Sequence, residues 1–188
     1  MRILLDIILP KMLPVEIRFR IYPHQGKQHL EKSLPKTIPT ISAIPNARIL
    51  IIQDQDSNDC TALKARLIRI VHDKCKAPYF VRIACKTMEN WFLGDLPALE
   101  RTFPRFRATH YSSNADFRRV DGIVNASDRM LRIIPEFQGR SRLPKVETAQ
   151  KVAPHLSFTD NTSTSFYQLL SAIRKLAGIE PGHQLKLI

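Results

Sequence analysis

Apolar and polar positions along the 188-residue chain change period several times, and the changes mark out its elements. Residues 1–10, Met-Arg-Ile-Leu-Leu-Asp-Ile-Ile-Leu-Pro, read as an amphipathic helix that ends near Pro10 to Pro14. Asp6 interrupts the apolar run, Lys11 follows it and no small-residue cleavage site appears, so this start reads as a helix and not as a leader peptide. Ile17-Arg18-Phe19-Arg20-Ile21-Tyr22 alternates, the pattern of a half-buried strand near a sheet edge. Residues 28–36 turn helical, limited by Pro35, Pro39 and Pro45. The nearly continuous apolar run over residues 47–53 suits a central strand buried on both faces. Asn58 or Asp59 can cap the next helix, whose inward face is Leu63, Leu67, Ile70 and Val71. Residues 80–85 form a further strand candidate, and residues 88–93 a helix with Trp91 and Phe92 facing the core.

The order is helix, strand, helix, strand, helix, strand, helix. Such alternation implies a mainly parallel sheet with helices on both faces. From about Phe103 the strand signal disappears, and residues 128–134, 145–152 and 163–176 read as helices. The last is the clearest, with Phe166, Leu169, Leu170, Ile173 and Leu176 at helical spacing. The expected organisation is one α/β domain over residues 1–178, with its core sheet within residues 1–100, a helical portion over 101–178 and a loose tail over 179–188.

Composition adds a strong positive charge. Lys and Arg number 29 against 17 for Asp and Glu, a net +12, and such a field attracts polyanions, above all nucleic acid. The excess is spread along the chain, densest at Arg101, Arg105 and Arg107, at Arg118 and Arg119, and at Arg140, Arg142 and Lys145. Cys60, Cys75 and Cys85 lack paired spacing, which argues against a disulfide framework and for a reducing, cytoplasmic setting. Cys60, His72 and Cys75 match no zinc module and read as ordinary side chains. No stretch of the sequence is long enough to cross a membrane.

The candidate chemistry lies at Asp54-Gln55-Asp56, directly after the best central strand. Ligand sites in open α/β sheets collect at the carboxyl ends of strands. In extended backbone residues two apart point to the same side, so Asp54 and Asp56 can converge on one Mg²⁺, with Asp59 helping directly or through water. Such an ion can bridge to a phosphate and stabilise charge developing on its oxygens. The competing reading is that these aspartates cap the following helix or face solvent.

Several stretches resemble one bacterial family. They are Leu5-Asp6-Ile7-Ile8-Leu9-Pro10-Lys11 followed by Phe19-Arg20-Ile21, and Asp54-Gln55-Asp56 with Asp59-Cys60 and Leu63-Lys64. Arg82-Ile83-Ala84 with Glu89-Asn90-Trp91-Phe92-Leu93, Lys145-Val146-Glu147-Thr148-Ala149 with Ala153-Pro154, and Ser163-Thr164-Ser165-Phe166 complete the set. In order and spacing they resemble the domain-of-unknown-function 4276 family, regarded as Toprim-like. The resemblance implies a Toprim-like sheet in which Asp54 and Asp56 form the Asp-x-Asp pair that binds Mg²⁺ for phosphodiester chemistry. It also implies a setting beside ATPases, in defence against phage. Family members carry a strand and a glutamate ahead of the helix that here starts at Met1, and this sequence shows neither. Thr87 stands where the family often has a second acidic residue, and Glu89 remains as an additional ligand or as a charge favourable to its helix start.

Other residues carry structural readings. Trp91, at helical spacing from Met88 and Phe92, reads as core. His24, His29, His110, His155 and His183 show no partner pattern, and no catalytic triad is legible. Ser163 or Ser165 reads as a helix cap, with phosphate contact at that helix start as the alternative. Lys145 reads as an exposed helix charge in preference to a phosphate-binding lysine. The expected function is a Mg²⁺-dependent, Toprim-like phosphodiesterase or nuclease acting on nucleic acid, with Asp54, Asp56 and Glu89 catalytic and Asp54, Asp56 and Asp59 on the metal. The alternative is a non-catalytic subunit that binds nucleic acid or a partner ATPase, or a shortened, inactive form of such an enzyme.

Overall fold

The computed structural model describes residues 1–179. Helix α1 (Arg2–Met12) buries Leu4, Leu5, Ile8 and Met12, a stripe at helical spacing. It runs through Pro10 and stops before Leu13, which is extended, the conformation favoured by a residue preceding proline. The tail expected over residues 179–188 lies, from residue 180 on, outside the described residues.

The strand expected over residues 17–22 does not form. Its alternation is real, since Ile17 and Ile21 are half-buried, but no neighbouring strand pairs with it, and Phe19 and Tyr22 are left 42% and 45% exposed. A period-two pattern describes which side chains are apolar, whereas a strand also needs a hydrogen-bonding partner.

Helix α2 (Lys27–Ser42) is longer than the prolines suggest, because Pro35 and Pro39 lie inside it. Both stand on the exposed side. Leu30, Leu34 and Ile38 keep the opposite face buried. The continuous apolar stripe outweighs the two missing backbone bonds.

Strands β1 (Ile49–Asp54) and β2 (Tyr79–Ala84) pair in parallel, from Ile49 opposite Tyr79 to Asp54 opposite Ala84. They form a sheet of two strands, smaller than the alternating pattern implied. Helix α3 (Cys60–Val71) makes the crossover and buries Leu63, Leu67 and Val71, while Ile70 is half-buried. Alternation along the strands splits the apolar side chains between two cores. Ile49, Ile51, Val81 and Ile83 meet α2 and α3 in one. Leu50, Ile52 and Ala84 face the larger one, built with α1, α4 (Glu89–Leu93), α5 (Leu96–Thr102), α6 (Ala126–Ile133), α7 (Lys145–Val152) and α8 (Thr164–Ala177). Helices therefore cover both faces, as expected, and no strand follows Ala84 among the described residues. The architecture is mixed α/β.

Trp91 and Phe166 pack together in the larger core, with ring centroids 5.5 Å apart, and Trp91 is core as its spacing suggested. Among the described residues no helix is long and apolar enough to cross a membrane.

Candidate metal centre

Parity along β1 decides where Asp54 points. Ile49, Ile51 and Gln53 share one face and Leu50, Ile52 and Asp54 the other, so Asp54 projects toward the larger core. There it meets Glu89, the first residue of α4. Together with Lys145, Met1, Ile3 and Met88 they line a cavity of about 160 Å³.

Past Asp54 the chain keeps pairing with the segment after β2. The Gln55 N–H donates to the Ala84 carbonyl at 2.9 Å and the Asp56 N–H to the Lys86 carbonyl at 2.8 Å. The backbone then turns sharply, with Asp56 at φ 52° and Lys86 at φ 58°, both in the left-handed region. The Gln55 side chain fastens this turn. Its Oε1 accepts from the Lys86 N–H at 3.0 Å and its Nε2 donates to the Asn58 carbonyl at 2.8 Å. Gln55 is thus a positioning residue, one that the Asp-x-Asp pattern treats as a spacer.

The left-handed turn breaks the extended geometry that would have set the two aspartates side by side. Asp54 points into the cavity, whereas Asp56 is about half-exposed and lies 3.5 Å from Lys27 Nζ. Asp59 Oδ1 accepts from the Ala62 N–H at 2.7 Å and caps α3. Of the four acidic residues singled out by sequence, the fold brings Asp54 and Glu89 to one cavity and leaves Asp56 and Asp59 on the loop outside it. Among the described residues no three Asp, Glu, His or Cys side chains converge as a metal-holding group.

The electrostatics of the pair are unusual for carboxylates. Glu89 is 3% exposed, and its Oε1 stands 3.0 Å from Lys145 Nζ. Asp54 Oδ1 is buried and has no hydrogen-bond partner. Burial, then repulsion from Glu89 and Asp56, pushes the Asp54 carboxyl from its ordinary 3.8 up to about 6, with the Met1 amino group and Lys145 acting in the opposite direction. The two nearby cations do not cancel that upward shift. Two carboxylates on one cavity wall are the kind of oxygen pair that could hold a hard divalent cation which keeps several of its waters.

Lys145 is the cavity residue whose partner the sequence hid. It begins α7 and reads as one more surface cation, and only the tertiary fold places its ammonium on Glu89. Asp121 was likewise invisible. Its carboxylate accepts from Ser163 Oγ at 2.6 Å, from the Ser165 N–H at 2.7 Å and from Ser165 Oγ at 3.0 Å. Ser163 also caps α8, accepting from the Phe166 N–H at 3.1 Å. The anion position at the start of α8 is therefore filled by the protein's own carboxylate, which leaves the capping role of Ser163 as the one realised. Cys85 lies beside this network, and burial together with the Asp121 carboxylate pushes its thiol up to about 11. Such a shift favours the protonated thiol. The three cysteines are free and half-buried. Comparison with protein-family models, with curated proteins and with solved structures found no match to this chain.

Proposed function

We propose that this protein is a Mg²⁺-dependent, Toprim-like phosphodiesterase acting on nucleic acid, with Asp54 and Glu89 holding the ion. The observation that carries the reading is the buried, unpartnered Asp54 oxygen beside the nearly buried Glu89. Leaving a charged group in that state costs stability, and a divalent cation would offset it by partnering both acids. When bound, the ion would supply charge stabilisation to phosphate oxygens. Asp56, half-exposed on the adjoining turn beside Lys27, lies outside the cavity, and Asp59 holds α3 in place. The net charge of +12 favours a polyanionic substrate.

Purified protein assayed on single- and double-stranded DNA and RNA with Mg²⁺ or Mn²⁺ tests the reading. Metal-dependent cleavage abolished by Asp54→Asn and by Glu89→Gln is expected. Cleavage that survives both substitutions rules out this site.

A second reading, a binding subunit without catalysis, draws on the exposed stretch at residues 18–22. Arg20 lies over the Tyr22 ring at 5.2 Å and Phe19 stands open, a surface on which phosphates and bases can rest. It predicts nucleic-acid binding with no dependence on Mg²⁺ and no cleavage, and an ATPase would then be the partner that supplies chemistry.

A further inference from the structure

We propose that Lys145 is a switching residue of the Asp54–Glu89 cavity: it neutralises Glu89 while no metal is present and turns to a phosphate oxygen of the substrate once a divalent cation takes the carboxylates. The inference rests on the metal reading above and adds to it an anion-binding group.

The Lys145–Glu89 contact is lopsided. Its two ends are 3.0 Å apart, yet the Glu89 side chain is 3% exposed and the Lys145 side chain 59% exposed. Glu89 is fixed in the protein, whereas the lysine stem reaches in from solvent and can swing out without opening the core. The Lys145 ammonium sits on Glu89 Oε1, and a divalent cation taken up by the same carboxylate would repel it and weaken its hold. A displaced Lys145 stays tethered at the cavity wall, since it is the first residue of α7 and lines the cavity itself. Among the described residues the nearby acids are already engaged. Glu147, in the same helical turn, is already held by Lys151 at 2.8 Å and by Arg140 at 3.5 Å. Asp54, the remaining acid on the wall, would be engaged by the ion. With a cation held by the carboxylates, the freed Lys145 ammonium would offer a positive charge and three N–H donors to a phosphate ester.

A purely structural ion pair predicts something different, namely that removing Lys145 leaves Glu89 unpaired and harms the site as a whole. Calorimetry on the full chain separates the two. MgCl₂ is titrated into wild type, Lys145→Met and Lys145→Gln, and inorganic phosphate is then titrated at saturating Mg²⁺. Removing the competing ammonium is expected to tighten Mg²⁺ binding several-fold in both variants. Phosphate affinity in the presence of Mg²⁺ is expected to fall by about tenfold. Lys145→Arg restores phosphate binding. Circular dichroism confirms that each variant is folded. Weaker Mg²⁺ binding in both neutral variants, or phosphate affinity unchanged while Mg²⁺ binds normally, overturns the role of Lys145 alone. Absence of any Mg²⁺ isotherm in wild type overturns the metal reading and this inference together.

Discussion

Asp54→Asn separates the cost of the candidate site from its use. Asparagine keeps the shape of the side chain and removes its charge. In the folded protein the Asp54 carboxyl titrates at about 6 in place of 3.8, chiefly because of burial and then of Glu89. A tenfold change in proton affinity corresponds to about 1.4 kcal/mol, so the folded state carries a penalty of about 3 kcal/mol once Asp54 is ionised. The sign follows from proton counting. Between pH 3.8 and about 6 the folded chain holds a proton that the unfolded chain has lost, so this group makes stability fall as pH rises through that window. Below it the penalty is absent, and above it the penalty is full. Urea unfolding of wild type and Asp54→Asn, without metal, at intervals from pH 4 to pH 8 reads the effect directly. The two proteins should be nearly equal at the acid end, and the variant should be more stable by about 2–3 kcal/mol at the alkaline end. Saturating Mg²⁺ should then stabilise wild type and not the variant, by about 2.7 kcal/mol at a hundredfold excess over Kd. A variant that is less stable than wild type at pH 8, or a difference independent of pH, would refute the claim that Asp54 is a buried acid whose nearby cations do not cancel its upward shift.

Two further substitutions probe the frame around the site. Asp59→Ala removes the cap of α3 and should lower stability by about 1 kcal/mol in urea unfolding while leaving Mg²⁺ affinity within about twofold. A large loss of Mg²⁺ binding would instead return Asp59 to the metal. Gln53 is buried on the α2–α3 side of the sheet with neither end of its amide hydrogen-bonded. Gln53→Met should therefore raise stability by about 1–2 kcal/mol, and a measured loss would mean that the amide has a partner.

How far the sequence could be read depends on which interactions each feature needs. The runs over residues 47–53 and 80–85 announce strands because helices cover both faces of the sheet, and the strands lie at Ile49–Asp54 and Tyr79–Ala84; with only two strands among the described residues each is an edge strand, and the central strand expected over 47–53 is not realised. The helices at Lys145–Val152 and Thr164–Ala177 follow from apolar spacing and from the cap at Ser163. Residues 17–22 misled because alternation is local and strand pairing is not. Pro35 and Pro39 misled because the apolar face of α2 is continuous and both rings sit on its exposed side. At the site, Asp54 was legible from its place at a strand end, whereas Glu89 entered only through the family resemblance, its place at a helix start being the competing structural reading. The divergence of Asp56 was hidden because one left-handed residue undoes the two-residue repeat. The partner of Lys145 was hidden because a lysine at the start of a helix looks like any other until the fold brings it to Glu89.

The central claim is that Asp54 and Glu89 together hold a divalent cation, and titration calorimetry of Mg²⁺ into the full chain at pH 7.5 tests it most directly. A single-site isotherm is predicted for wild type, lost in Asp54→Asn and in Glu89→Gln and retained in Asp59→Ala. Binding that persists in both of the first two variants, or no binding to wild type at millimolar Mg²⁺, contradicts it.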